Sequence, residues 1–203
     1  MSYWQTHEED TMALRVPKAE IPHGLGGNLI ELLGAVPEPV EVTWHNPKVA
    51  EASLELGGKV GAWDAVDESL KSFAHMAVAA VVGCGWCLDI GYFQARNQNL
   101  DLTKASQVPR WRESDAFTAS ERDVLEYAEA MTNTPPTVTD ALSARLLERH
   151  GPAALVELTA FIAFANMGAR NNVALGIESQ GFSAGCEIPL AARPDRAGPA
   201  SAA

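Results

Sequence analysis

Cysteine is scarce in this chain of 203 residues, which has only three. That excludes a disulfide scaffold as the basis of the fold, since small secreted domains rely on several paired cysteines. Basic residues are also few. Lys and Arg total 15 against 26 Asp and Glu, a formal net charge of -11. Those present are scattered, as at Lys59, Lys71, Lys104 and Arg110. Nucleic acids and anionic membranes are bound by clustered positive charge, so neither is expected as a partner. A long apolar run is missing as well, because the most apolar stretch, Met76 to Cys87, is too short to cross a bilayer. The opening MSYWQTHEED has acidic residues where a signal peptide has basic ones. The expected location is the cytoplasm. No segment alternates apolar and polar residues for long enough to read as a strand, and no internal repeat is visible.

What is present is helical periodicity. After a segment rich in Pro and Gly, Asn46 and Pro47 read as an N-cap with Pro at the first helical position. Val49, Ala52, Leu56 and Val60 then recur at helical spacing up to Gly61. Val66, Leu70, Phe73, Ala77 and Val81 form a second stripe that Gly83 ends, and a third helix follows to about Asn97. Thr118 and Glu121 form a capping box for a fourth helix, whose core face is Val124, Ala128 and Met131. Thr139 caps a fifth, which stops at Gly151. Pro152 opens a sixth, with Leu155, Leu158, Ile162, Ala165 and Ala169 on one face. The expected fold is all-α, a compact antiparallel helical domain of about six or more helices with a loop-rich N-terminal segment. Residues 1–42 are expected to form that segment, packed on the core. Residues 43–186 form the single helical domain, and 187–203 a flexible tail.

The chemistry concentrates in VVGCGWCLDIGYF, residues 81–93. In a reducing compartment a C-x-x-C pair is a working dithiol, half of a metal site, or two inert buried thiols. Gly83 and Gly85 make a chain break that would place Cys84 and Cys87 in the first turn of a helix. There the helix dipole and free amides favour thiolate. Two intervening residues let the sulfurs close a disulfide. Trp86 supplies apolar bulk to shield the pair or touch a substrate. A structural zinc site would need a second C-x-x-C or paired histidines, and the sequence has neither. Scattered groups such as His75 or Cys186, or a second chain, would have to be recruited. No metal or other cofactor is expected.

On the preceding helix Glu68, Ser72 and His75 share one face, as a polar edge or as a proton relay for the thiols. In a helical hairpin about Gly83, His75 lies about 12 Å before the break and Gly91 about 11 Å after it. The two would stand level. Asp89, Tyr92 and Arg96 suit helix-surface or packing roles, or contact with a small polar substrate. The cluster Arg170, Asn171, Asn172 reads as a subunit-contact network or a helix-end hydrogen-bond set.

GCGWCLDIG, FTASERDVLEYAEAMT and LVELTAFIAFANMGARNNVALGIE together resemble the carboxymuconolactone decarboxylase family, in its alkylhydroperoxidase D-like, peroxidase-related branch. The resemblance runs from about Thr43 to about Glu178. It implies an all-helical homo-oligomer that needs no cofactor. It also implies that Cys87 attacks a hydroperoxide, that Cys84 resolves the product to a disulfide, and that a Glu and a His relay the proton. At those two relay positions this sequence has Ser72 and Gly91. Neither is a base near neutral pH.

The expected function is therefore thiol-dependent reduction of a hydroperoxide, a peroxiredoxin-like antioxidant activity. Cys87 and Cys84 would be the catalytic pair, His75 or Glu68 would stand in for the relay, and Trp86 and Ser72 would contact the substrate. The partners expected are a small hydroperoxide or disulfide substrate and a reductant of unassigned identity. Alternatives are a decarboxylase or isomerase of a small lactone or carboxylic acid, thiol–disulfide exchange, or a non-enzymatic helical module. Cys186 lies outside the resemblance and is expected to be a free thiol without a role.

Overall fold

The structure is a computed structural model that describes residues 14–192. The acidic opening segment and the end of the expected tail, 193–203, lie outside the described residues. Among those described there are eight α-helices, two short 3-10 turns and no strand.

The capping signals act largely as the sequence implies. α3 (Pro47–Gly61) starts at Pro47, although the Asn46 side chain makes no capping bond. α4 (Glu68–Val82) starts two residues after the stripe does, because Asp67 accepts the Ser69 amide as its N-cap. It ends at Gly83, whose φ of 88° is the left-handed conformation that lets the chain reverse into α5 (Gly85–Asn97). α7 (Ala119–Thr132) carries the capping box in full, with Thr118 Oγ1 accepting from Glu121 N and Glu121 accepting from Thr118 N. α8 (Asp140–Leu175) contains a break at Gly151 (φ 79°, ψ 171°), so the two helices expected there are its two arms.

The N-terminal segment departs from the loop-rich expectation. It contains α1 (His23–Leu33) and α2 (Glu38–Thr43). Gly24, Gly26 and Gly27 lower helix propensity enough to mask α1, and Pro37 and Pro39 give α2 the look of a turn. α6 (Leu102–Gln107) and the 3-10 turn Val108–Glu113 that follows it are too short to show a periodic stripe.

α4 is the central helix. Phe73, Ala74, Met76, Ala77, Val78 and Ala79 are each at most 2% exposed, and α5, α7 and α8 pack around it. Its alanines let those neighbours approach closely. The stripe on the second arm of α8 (Leu158, Ile162, Ala165, Ala169) is buried in the same core. The loop before α4 is fastened by Glu157, which accepts the amides of Ala65 (2.7 Å) and Val66 (3.1 Å). Buried Lys71 donates to Trp63 O at 2.7 Å, so both charged groups have partners.

The residues after α8 are tied down, which corrects the expectation of a flexible tail from residue 187. Tyr92 Oη donates to Ile188 O (2.6 Å) and Ala191 N donates to Ser106 O (2.9 Å), while Leu190 packs against the core. Residues 177–192 thus form a strap across α5.

Candidate dithiol site

Cys84 is the N-cap of α5, and its sulfur accepts a hydrogen bond from Cys87 N at 3.1 Å. The two cysteines are joined in a disulfide with Cα atoms 5.3 Å apart, inside the ordinary range for such a bond. Both are buried, at 0% and 3% exposure. The local sequence makes this geometry. Gly83 supplies the left-handed turn, the helix resumes at Gly85, and Cys87 falls in its first turn.

The hairpin of α4 and α5 brings His75 level with Gly91 and turns the two toward each other. A β-carbon on Gly91 would lie 3.0 Å from His75 Nδ1, 3.2 Å from His75 Cε1 and 3.1 Å from Met76 Cγ. The His75 ring therefore occupies the room beside the residue one helical turn after Cys87, on the same face of α5. Burial lowers the imidazole pKa from 6.5 to about 4, which leaves the ring neutral near pH 7. Part of its surface still meets solvent.

The other expected site residues are placed differently. Ser72 is half-buried, just under one turn before His75 on α4. Glu68 is not brought to the thiols. It opens α4, roughly 22 Å along the helix from Gly83, and its exposed carboxylate pairs with Lys71 Nζ at 2.6 Å. Trp86 is engaged by protein, donating from Nε1 to Gln180 Oε1 (2.7 Å) with its ring edge-on to Phe182. Gln180 Nε2 donates in turn to Val36 O, so Trp86 is part of the strap's anchorage.

Two residues near the sulfurs have roles that the sequence did not disclose. Asp89 is 3% exposed and accepts from Ser179 Oγ (2.8 Å), Phe182 N (3.0 Å), Ser183 N (2.7 Å) and Ser183 Oγ (2.7 Å). Burial alone would raise its pKa, but these bonds outweigh it and hold the carboxyl below the usual range. Asp89 is thus the clasp of the strap. Asn172 is 6% exposed, and its Nδ2 lies 3.4 Å from Cys87 Sγ and 3.8 Å from Cys84 Sγ. This corrects the reading of Arg170, Asn171 and Asn172 as one network. Arg170 donates to Thr132 O, Asn171 is exposed, and only Asn172 faces the sulfurs. A signal was available, since Asn172 continues the stripe Leu158, Ile162, Ala165, Ala169 as its one polar member.

Cys186 is a free, half-buried thiol near Tyr92, whose hydroxyl pKa is raised by burial and then by the charge of Cys186. Among the described residues no three His, Cys, Asp or Glu side chains converge as metal ligands. An open groove of about 1190 Å³ runs past Val82, Trp111, Arg112, Arg170 and Val173, and neither cysteine lines it.

Comparison with known proteins bears on the family and the fold. Residues 47–130 match the model of the carboxymuconolactone decarboxylase family. The uncharacterized protein YnjA of Escherichia coli is 40% identical over 124 residues, a match covering 61% of this chain and 66%, just under two thirds, of that relative. A peroxidase-related protein from Ralstonia eutropha, described as an alkylhydroperoxidase AhpD core, superposes with a TM-score of 0.75 over 87% of this chain and 97% of its own, at 19% identity. A single-residue variant of the debrominase Bmp8, in complex with 2,3,4-tribromopyrrole, superposes with a TM-score of 0.71 over 81% of this chain and 91% of its own, at 20% identity. At such identities the two structures speak to the fold.

Proposed function

We propose, for a chain that belongs to the carboxymuconolactone decarboxylase family, the thiol-dependent reduction of a hydroperoxide at Cys84 and Cys87. One observation carries this reading. The C-x-x-C sulfurs at the start of α5 reach bonding distance within the native backbone, in a buried site. In the reduced protein the Cys87 thiolate attacks the terminal oxygen of the O–O bond. Cys87 becomes a sulfenic acid, and the alkoxide leaves and takes a proton. The Cys84 sulfur then displaces hydroxide from Cys87, which leaves as water, and the disulfide forms. Two electrons have passed from the thiols to the peroxide. An external dithiol attacks Cys87 and expels Cys84 as thiolate, a leaving group that the Cys87 amide and the α5 N-terminus support.

His75 takes the base role in this scheme. It is neutral and stands beside Gly91, one turn from Cys87, and a thiolate formed there would offset the burial that lowers its pKa. The protein acts as a homo-oligomer in the cytoplasm, where its reductant regenerates the dithiol. Support for assembly comes from α3, a helix of 15 residues with only Ala50 and Val60 buried and with Val49, Leu54 and Leu56 exposed.

The test is organic-hydroperoxide consumption with dithiothreitol as reductant. Cys87→Ser is expected to lose at least about a hundredfold in rate, the scale of losing an activated nucleophile. Variants Cys84→Ser and Cys87→Ser that both match the wild type would overturn the proposal.

A further inference from the structure

The second arm of α8 carries its buried face in order through Leu158, Ile162, Ala165 and Ala169, and the next position in that row is Asn172. A buried amide in an apolar stripe is costly unless it is bonded. The partners of Asn172 Nδ2 are the two sulfurs, Cys87 Sγ at 3.4 Å and Cys84 Sγ at 3.8 Å. A disulfide sulfur is a poor acceptor, whereas a thiolate is a good one. The amide is therefore better matched to the reduced, ionised pair than to the disulfide it now touches. The opposite amide orientation would set Oδ1 against sulfur lone pairs, which a thiolate would repel.

The donors are also divided between the sulfurs. The Cys87 backbone amide serves Cys84 at 3.1 Å, and the Asn172 side chain lies nearer Cys87. The helix N-terminus alone would favour charge on the capping residue, Cys84. Asn172 supplies the opposing bias.

We infer that Asn172 is a catalytic residue of the dithiol, a side-chain donor that stabilises the Cys87 thiolate and so selects Cys87 as the attacking sulfur. The inference rests on the working-dithiol reading of this site but not on the identity of the oxidant, so it can be tested without peroxide.

Thiolate absorbance is titrated in the Cys84→Ser/Cys186→Ser background, which isolates Cys87, and in the Cys87→Ser/Cys186→Ser background, which isolates Cys84. Asn172→Leu is expected to raise the Cys87 pKa by about one to two units, a roughly ten- to hundredfold loss of thiolate at fixed pH. Asn172→Asp raises it further by like-charge repulsion. The Cys84 pKa moves less in both. A residue with only a packing role would change the melting temperature and leave these titrations alone. The second measurement uses the unmutated, reduced protein: the Asn172 side-chain amide proton is expected to shift with the midpoint of the Cys87 titration. An amide that stays fixed through that titration overturns the inference, as does a larger shift at Cys84 than at Cys87. Should peroxide turnover be absent while the pKa shift persists, only the choice of oxidant is wrong.

Discussion

At the scale of single residues, the site turns on an exchange between α4 and α5. Gly91 has no side chain, and the His75 ring lies against the room one would need. Substituting Ala at position 91 gains up to about 1 kcal/mol of helix propensity. It also drives a methyl to within 3.0 Å of His75 and 3.1 Å of Met76, and overpacking of that kind costs about 1–3 kcal/mol. Met76 is fully buried and has little room to yield. Gly91→Ala is therefore expected to destabilise by about 1–2 kcal/mol in urea unfolding. In a His75→Ala background the part of that cost due to the ring should vanish while the Met76 contact remains, a coupling of about 1 kcal/mol. Equal costs in the two backgrounds would mean that His75 does not hold the place beside Gly91. Helical rise made the level of these two residues readable from their positions in the chain. Their facing was not readable, because the rotation of one helix about its axis is set by tertiary packing.

At the scale of elements, α5 is held from one side by α4 and from the other by the strap. Asp89 joins the strap through four accepted hydrogen bonds, and its burial leaves water little chance to replace them. Asp89→Ala is expected to cost about 2–4 kcal/mol, since bonds to an ionised group are strong and their donors would be left without a partner. With the strap loosened, iodoacetamide should alkylate reduced Cys84 and Cys87 at least about tenfold faster, following local opening rather than global unfolding. An unchanged alkylation rate would mean that the strap does not control access. Elements with a long stripe and a cap, such as α4 and α7, were legible from residue order. The strap was not, because Asp89, Gln180 and Ser183 carry no periodic signal and their pairing spans roughly ninety positions of chain. Asn172 was visible as a polar break in an apolar row, but only the crossing of α8 over the hairpin shows what it faces.

At the scale of the whole molecule, acidity and apolar faces work together. The net charge of -11 is unfavourable to phosphate-bearing surfaces, and exposed Val156 and Met167 on α8, like Leu54 and Leu56 on α3, would serve the proposed contact between copies. The all-α class was readable because helical spacing recurs along most of the chain. α1 and α2 were hidden because their glycines and prolines carry the composition of turns. The central claim concerns electrons passing through one pair of sulfurs, and intact mass after one equivalent of cumene hydroperoxide tests it most directly. The account predicts that the reduced wild type loses two hydrogens, that Cys84→Ser gains one oxygen at Cys87, and that Cys87→Ser is unchanged. A wild-type mass unaltered by the hydroperoxide, or an oxygen gained by Cys87→Ser while Cys84→Ser stays unchanged, would contradict it.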